Sequence, residues 1–211
     1  MMVMLANHSS PPVHFWAGKY PGKVGWLIGP SGKTKTKLRE WLPFALDNDA
    51  FTAWEQGTIW SESAYFDFLE WVASQDFRPR WATVPDVVAD KKGTLQSWNK
   101  YADRVAGYGW PLAFVAQDGM NPRDVPDSAE VVFLGGSYRW KWRNAETFAG
   151  EFPRLHVGRV NTLARLRRCE ELGVESVDGT GWFRRPEGEF FKLEDFFSGK
   201  PDSQMMLGGM R

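Results

Sequence analysis

The sequence has few of the side chains that commonly serve as nucleophiles or metal ligands. It contains one cysteine, Cys169, and three histidines, at positions 8, 14 and 156. A single cysteine excludes an internal disulfide and a cysteine-rich zinc site, and the scattered histidines form no metal-binding pattern. We therefore expect no metal, no cofactor and a reducing, cytoplasmic location. His156 lies in a strand pattern and is expected to be a hydrogen-bonded core residue.

Long apolar runs and an excess of charge of either sign are also missing. No stretch approaches the roughly 20 apolar residues of a membrane-spanning helix. The N-terminus lacks the charged and apolar regions of a signal peptide. We expect a soluble protein with no membrane partner. Lys plus Arg and Asp plus Glu number 26 each, so binding to a polyanion must depend on local patches.

Aromatic residues are abundant, with 12 tryptophans and 15 phenylalanines among 211 residues. Some must fill the core, whereas others stand among charged residues. The length favours one domain over residues 1–211. Residues 1–15 and 200–211 are expected to be loosely held tails. Nothing in the sequence indicates the oligomeric state.

Short apolar runs alternate with amphipathic segments. Helices are predicted to start near Ser61, Thr94 and Asn161, the last stopping at Gly173. Strands are predicted at residues 24–28, 44–47, 81–88, 112–118, 131–136, 155–160 and 175–179. This alternation predicts an α/β fold with a mainly parallel sheet. A small or incomplete TIM-like (β/α) barrel is the first interpretation, and an open doubly wound sheet is the alternative.

Polar residues follow six of these strands. In parallel α/β folds the carboxyl ends of strands meet on one face, where barrel active sites lie. Turn preference offers an alternative explanation, because Asp, Asn and Gly favour the turns that follow strands. The residues concerned are Asp47, Asn48 and Asp49; Asp86 and Asp90; Gln117 and Asp118; Gly135, Gly136 and Ser137; Arg159 and Asn161; Asp178 and Thr180.

The segment "GPSGKT" at residues 29–34 is similar to a nucleotide-binding P-loop but too short for one. A P-loop has four residues between its glycines, and here only Pro30 and Ser31 intervene. The basic residues that follow could grip a nucleic-acid backbone or simply form a solvated face. They are Lys33, Lys35, Lys37 and Arg39.

The segment "GGSYRWKWR" at residues 135–143 interleaves aromatic rings with cations. Rings stack on bases while cations neutralise phosphates, so this pattern is typical of nucleic-acid binding. The start of a surface helix with packed tryptophans is the alternative. The candidate DNA contacts here are Tyr138, Arg139, Trp140, Lys141 and Arg143, to which the strand-end Arg159 is added.

Carboxylates without a metal suit cleavage at the anomeric carbon of a sugar. One carboxylate stabilises or attacks that carbon, and a second acid protonates the leaving group. If the leaving group is a nucleobase, a glutamine and backbone groups can read its hydrogen-bonding edge.

The order of these motifs resembles the tRNA-guanine transglycosylase superfamily, which includes phage enzymes that exchange guanine for 7-deazaguanines in DNA. Six segments between residues 44 and 182 carry the resemblance: "ALDNDAF", "PDVVADKKGTL", "FVAQDG", "FLGGS", "LHVGRVNTLARL" and "GVESVDGTGW". The resemblance implies that Asp178 is the nucleophile and that Asp47 or Asp49 is the acid at the base. It also implies that the base is read by Asp86 or Asp90, Gln117, Gly135 and Gly136.

The sequence departs from that family in two ways, which concern the nucleic acid that it binds and whether water or a second base completes the reaction. One cysteine cannot build the zinc subdomain of the tRNA enzymes, so DNA is the expected partner. The short chain leaves the site more open to water, which predicts a DNA glycosylase that leaves an abasic site. Excision of modified bases from phage DNA is the biological hypothesis. The alternatives are a base-exchanging DNA transglycosylase, a non-catalytic nucleic-acid-binding module, and a sugar-phosphate or nucleoside enzyme on a generic barrel.

Overall fold

Eight parallel strands form a closed barrel in the computed structural model, which describes residues 2–8, 10–35, 37–179, 181–184 and 186–199. Each strand pairs with its neighbour in sequence, and the eighth pairs with the first. The predicted (β/α) barrel is therefore confirmed, and it is closed. The strands are β1 Val3–Ala6, β2 Val24–Ile28, β3 Phe44–Leu46, β4 Ala82–Thr83, β5 Leu112–Ala116, β6 Val131–Leu134, β7 Leu155–Val157 and β8 Ser176–Asp178.

The first strand of the barrel lies where a loose tail was predicted. All four residues of β1 are buried, and β1 is hydrogen-bonded between β2 and β8. A helix at Pro11–Lys19 follows it. The prediction of a loosely held segment at residues 1–15 is therefore wrong. Residues 200–211, the other predicted tail, lie outside the described residues.

Helices connect the strands on the outside of the barrel. Ser61 caps the helix Glu62–Ala73 as predicted, its side chain accepting a hydrogen bond from the Ala64 amide, whereas Thr162 rather than Asn161 caps the helix Leu163–Glu171. No helix in the described ranges is long and apolar enough to cross a membrane. The helices are α1 Pro11–Lys19, α2 Ala50–Glu55, α3 Glu62–Ala73, α4 Lys91–Ala106, α5 Tyr138–Glu151, α6 Leu163–Glu171, α7 Gly181–Arg184 and α8 Pro186–Ser198.

The core has two layers, one inside the barrel and one between the barrel and the helices. Trp81 is fully buried inside the barrel, next to the small residues Ala45 and Ala113 of the two flanking strands. Small side chains beside a large one let the interior fill without voids. The remaining members of this inner layer are Val3, Leu5, Leu27, Val115, Val131 and Phe133.

The N-terminal end of the barrel is closed by ion pairs. Glu175, just before β8, accepts from Arg80 and Arg154 at 2.8 Å each. These residues precede β4, β7 and β8, so they join strands across this end. The opposite end, where the strands terminate in polar residues, is left open for a pocket.

Candidate active site

A pocket opens at the C-terminal ends of the barrel strands. The space that it encloses, including the open mouth, is about 570 Å³. Three predicted carboxylic acids and the predicted glutamine line it together, namely Asp47, Asp86, Asp178 and Gln117. Its other lining residues are Asn7, Leu27, Phe51, Val88, Val115, Phe133, Gly135, Gly136, Gly158 and Arg159.

Asp178 ends β8 and is held at both carboxylate oxygens. Oδ1 accepts a hydrogen bond from the backbone N–H of Arg159 at 3.1 Å, and Oδ2 lies 3.1 Å from Nε2 of His156. His156 is fully buried, and its other ring nitrogen lies 2.8 Å from the hydroxyl of Ser176. Two partners on one carboxylate fix its rotation, so Asp178 presents a defined face to the pocket.

His156 confirms the expectation of a hydrogen-bonded core histidine. Its ring is packed edge-on between Phe133 at 4.3 Å and Trp81 at 5.0 Å, measured between ring centroids. Its direct contact with Asp178 had not been foreseen. The signal was available, because His156 lies between Leu155 and Val157 of the outer core layer, and alternation along a strand turns it to the barrel interior.

Asp47 faces the same pocket from the end of β3. Burial, and then repulsion from Asp49, Asp86 and Asp178, raise the pKa of Asp47 from 3.8 to about 8. The carboxyl group therefore carries a proton at neutral pH. Its Oδ1 accepts a hydrogen bond from the backbone N–H of Asn48 at 2.8 Å. A protonated acid that faces the pocket can donate its proton to a leaving group.

Asp86 is joined to Gln117 and Asn48 in one network. Gln117 donates to one carboxylate oxygen of Asp86 at 2.7 Å, and Asn48 donates to the other at 2.9 Å. Burial raises the pKa of Asp86 to about 6, against these two hydrogen bonds, which lower it. Gln117 also accepts from the Ala89 amide at 3.0 Å, so its orientation is fixed.

Asp90, the alternative to Asp86, has a structural role instead. Its side chain is exposed and accepts from the Gly93 amide at 3.0 Å, which makes it the N-cap of α4. It does not line the pocket. Asp86 is therefore the acidic residue of this segment that faces the site.

Asp49, predicted as an alternative catalytic acid, does not line the pocket either. It adopts a left-handed backbone conformation, with φ at 61°, and its carboxylate accepts from the Ser31 amide at 2.7 Å. The carboxylate lies directly against Gly29, where a Cβ atom would stand 2.1 Å from its oxygen. Asp49 thus anchors the "GPSGKT" loop, which forms a short 3₁₀ helix at Pro30–Lys35.

Gly135 and Gly136 line the pocket as predicted. A Cβ atom at Gly136 would lie 2.4 Å from the Trp140 ring, and one at Gly135 would lie 3.2 Å from Nε2 of Gln117. The carbonyl of Gly136 accepts a hydrogen bond from the Arg159 guanidinium. The two glycines therefore keep the backbone close to the ring of Trp140 and to Gln117.

The predicted DNA contacts of the 138–143 segment lie at the start of α5, which follows β6 at the pocket end. Tyr138, Arg139 and Arg143 are exposed, and Trp140 is partly buried against the core. Lys141 contradicts the prediction of a phosphate contact. It is 1% exposed, and its ammonium group donates to the carbonyl of Gly158.

The burial of Lys141 has a periodic cause. Lys141, Ala145 and Phe148 are the buried residues of α5, and this spacing places them on one face of the helix. The segment therefore begins a helix that has one buried face and one exposed face. Ser137 caps the helix, and Asp118 fixes Ser137 by accepting from its amide at 2.6 Å.

The remaining predicted cations differ in their position. Arg159 lines the pocket, and its guanidinium carbon lies 4.4 Å from the centre of the Phe51 ring. Lys37 and Arg39 are exposed on the connection between β2 and β3 and do not line the pocket. The side chains of Lys33 and Lys35 lie outside what the structure describes.

Over the described residues, no group of three or more His, Cys, Asp or Glu side chains is arranged to hold a metal ion. Cys169 is buried, and burial raises the pKa of its thiol to about 12, which makes it inert as a nucleophile at neutral pH. Comparisons with family models and with curated proteins gave no match.

Proposed function

We propose that this protein is an enzyme that cleaves the N-glycosidic bond of a modified nucleobase in DNA. The observation that carries the proposal is the convergence of two carboxyl groups, Asp47 and Asp178, held by different surroundings, on one pocket. The pKa of Asp47 is raised to about 8, whereas Asp178 accepts from the Arg159 backbone N–H at one oxygen and lies 3.1 Å from Nε2 of His156 at the other. Cleavage through an oxocarbenium-like transition state needs such a pair.

Each residue then has a defined task. Asp178 attacks or stabilises C1′ of the deoxyribose as the bond to the base breaks. Asp47 transfers its proton to the departing base, which leaves neutral. Asp47, now a carboxylate, takes a proton from the water that attacks C1′ and restores Asp178. The product is an abasic site.

Base recognition falls to the other polar side of the pocket. Asp86 and Gln117 form one hydrogen-bonded unit there, with Gly135 beside Gln117. Phe51 and Phe133 supply apolar surface for a ring. A base can reach these groups only after it leaves the helical stack, so we propose that the target nucleotide is flipped into the pocket.

The rim of the pocket supplies contacts for a nucleic-acid backbone. Arg139 and Arg143 are exposed at the start of α5, and Arg165 of α6 lies against the rings of Tyr138 and Trp142, with its guanidinium carbon 4.3 Å from the Trp142 ring centre. Exposed cations interleaved with aromatic rings suit phosphates and unstacked bases. This rim supports DNA as the substrate rather than a free sugar or nucleoside.

The test is incubation of the protein with DNA duplexes and single strands that carry different modified bases. Released bases are identified by mass spectrometry, and abasic sites by alkaline cleavage. Release together with abasic sites supports a glycosylase, whereas release only when a second base is supplied supports a transglycosylase. Asp178→Ala should lower the rate by about 10³-fold or more.

Two results would contradict the proposal. Retardation of modified DNA without base release would indicate a non-catalytic binding module. Turnover of free nucleosides or sugar phosphates, without action on DNA, would indicate a metabolic enzyme on the same barrel.

A further inference from the structure

Lys141 is a buried cation that the proposed reaction does not use directly. Its side chain is 1% exposed, and its ammonium donates to the carbonyl oxygen of Gly158. Burying a charge is costly unless it is compensated, so a lysine in this position requires a physical reason. The carbonyl that it contacts belongs to a peptide group with a second polar contact.

That peptide group joins Gly158 to Arg159 and points in two directions. Its carbonyl faces Lys141, and its N–H, the amide of Arg159, donates to Oδ1 of Asp178 at 3.1 Å. The ammonium, the peptide and the carboxylate thus form one chain of two hydrogen bonds. A cation on the carbonyl polarises the peptide and strengthens its N–H as a donor.

The geometry of this peptide is held by its surroundings. Arg159 has φ at 56°, in the left-handed region that a non-glycine residue rarely occupies. Its guanidinium donates to the carbonyl of Gly136, which secures that conformation. A Cβ atom at Gly158 would lie 2.6 Å from the Phe133 ring and 3.2 Å from Oδ2 of Asp178, so the peptide approaches the carboxylate only because residue 158 is glycine.

We propose that Lys141 is a positioning residue that orients Asp178 through the peptide group between Gly158 and Arg159. This inference rests on the proposed function, in which Asp178 meets the sugar. His156 holds Oδ2, and the polarised peptide holds Oδ1, so the carboxylate cannot rotate as positive charge develops at C1′.

The charge of Lys141 gives the chain a pH limit. Burial, and then repulsion from Arg159, lower the pKa of Lys141 to about 8, while Asp178, Cys169 and Asp118 act in the opposite direction. Above this pH the ammonium becomes a neutral amine. The peptide then loses the cation that polarises it, and we expect the hold on Asp178 to weaken.

The first test is independent of catalysis. The backbone amide of Arg159 is followed by two-dimensional NMR of the full chain between pH 6.5 and 9.5. In the wild type its proton resonance should show a step near pH 8, which Lys141→Met and Lys141→Gln should remove. Lys19→Met, which removes an exposed cation at the opposite end of the barrel, should keep the step. A step that persists in Lys141→Met would assign it to Asp47 and overturn the proposal.

The second test is kinetic and uses single-turnover base release. Lys141→Met should lower the rate by about 10-fold to 100-fold at pH 7 without weakening DNA binding. Lys141→Gln, which keeps a donor but not the charge, should remain impaired, and Lys141→Arg should recover most of the rate. Above pH 8 the wild-type rate should fall because both Asp47 and Lys141 lose a proton. The rate of Lys141→Met should fall less steeply, because only Asp47 loses a proton there.

The two tests separate this inference from the proposed function. A wild type that releases no base from any DNA would sink the proposed function, while the NMR titration would still decide whether Lys141 acts on the Arg159 amide. Full activity of Lys141→Met with an unchanged pH profile would reject a positioning role. Thermal melting of each variant identifies any rate loss caused by unfolding.

Discussion

His156 and Asp178 are in contact inside the barrel, with Nε2 of the imidazole 3.1 Å from Oδ2 of the carboxylate. The other ring nitrogen lies 2.8 Å from the hydroxyl of Ser176. If the hydroxyl donates to Nδ1, the ring N–H lies on Nε2 and points at Asp178. Ser176 then selects the tautomer that supports the carboxylate.

Two amide substitutions separate these two contacts. The side-chain nitrogen of glutamine can replace Nε2 and reach Asp178, whereas that of asparagine replaces only Nδ1. His156→Gln should therefore keep base release within about 10-fold of the wild type, and His156→Asn should lose about 100-fold, because a misplaced reacting group costs about that much. Single-turnover rates measure the difference, with thermal melts as the control. Equal losses in both variants would mean that His156 only fills space.

Asp86 and Asp90 form a matched pair for base recognition. Asp86 lines the pocket and accepts from Gln117, whereas Asp90 is exposed and caps α4. Asp86→Asn should weaken binding of the target base or change which base is released, because it replaces an acceptor by a donor. Asp90→Asn should behave as the wild type, since asparagine caps helices about as well as aspartate. Release assays across several modified bases compare them, and an effect of Asp90→Asn as large as that of Asp86→Asn would contradict the assignment.

The barrel and half of its site were predictable from local pattern. In a parallel sheet the C-terminal ends of all strands lie on one side. Asp47, Gln117 and Asp178 stand at such ends, so the topology alone brings them together. The first strand was missed because "VMLA" at residues 3–6 lies at the terminus, and its burial depends on pairing with β2 and β8.

The roles of Lys141, Asp90 and the Arg159 amide could not be predicted until the fold was known. The spacing of Lys141, Ala145 and Phe148 indicates burial only once the segment is known to be a helix. The capping role of Asp90 follows likewise from knowing where α4 begins. The contact of the Arg159 amide with Asp178 depends on a left-handed residue, which no pattern of apolar positions indicates.

The rim of the pocket should determine how DNA binding depends on salt. Arg139 and Arg143 are exposed one helical turn apart at the start of α5. If each neutralises one phosphate, changing both to glutamine should lower the slope of log affinity against log salt by about 2, because each contact releases about one counterion. Fluorescence anisotropy at several salt concentrations measures the slope.

The control for the rim is a second double variant of the same charge. Lys19 and Lys100 are ion-paired with Glu194 and Glu62, away from the pocket. Their change to glutamine should leave the salt slope unaltered. Equal slopes for the two double variants would show that long-range charge, rather than the rim, governs binding.

Asp47 should make the protein less stable as the pH rises. Its pKa is about 8 in the folded chain and 3.8 in an unfolded one. Between these values the folded state binds more protons than the unfolded state, so the free energy of unfolding falls with increasing pH. Asp47→Asn removes this dependence, and at pH 8 it should be more stable than the wild type by on the order of 5 kcal/mol, although it should release no base.

Thermal or urea melts of the wild type and Asp47→Asn between pH 5 and 8 measure this difference. The range stops at pH 8 because Lys141, whose pKa is lowered to about 8, makes the unfolded state bind more protons above that pH and reverses the trend. The advantage of Asp47→Asn should grow steadily, by about 1.4 kcal/mol per pH unit, from a small value at pH 5. Asp47→Asn keeps the smaller slope below pH 6 that Asp86 causes. Asp76→Asn, at an exposed acid in the loop before β4, removes the same charge and should run parallel to the wild type. Parallel curves for Asp47→Asn would mean that Asp47 is ionised at neutral pH, and the proton for the leaving base would then have to come from another group.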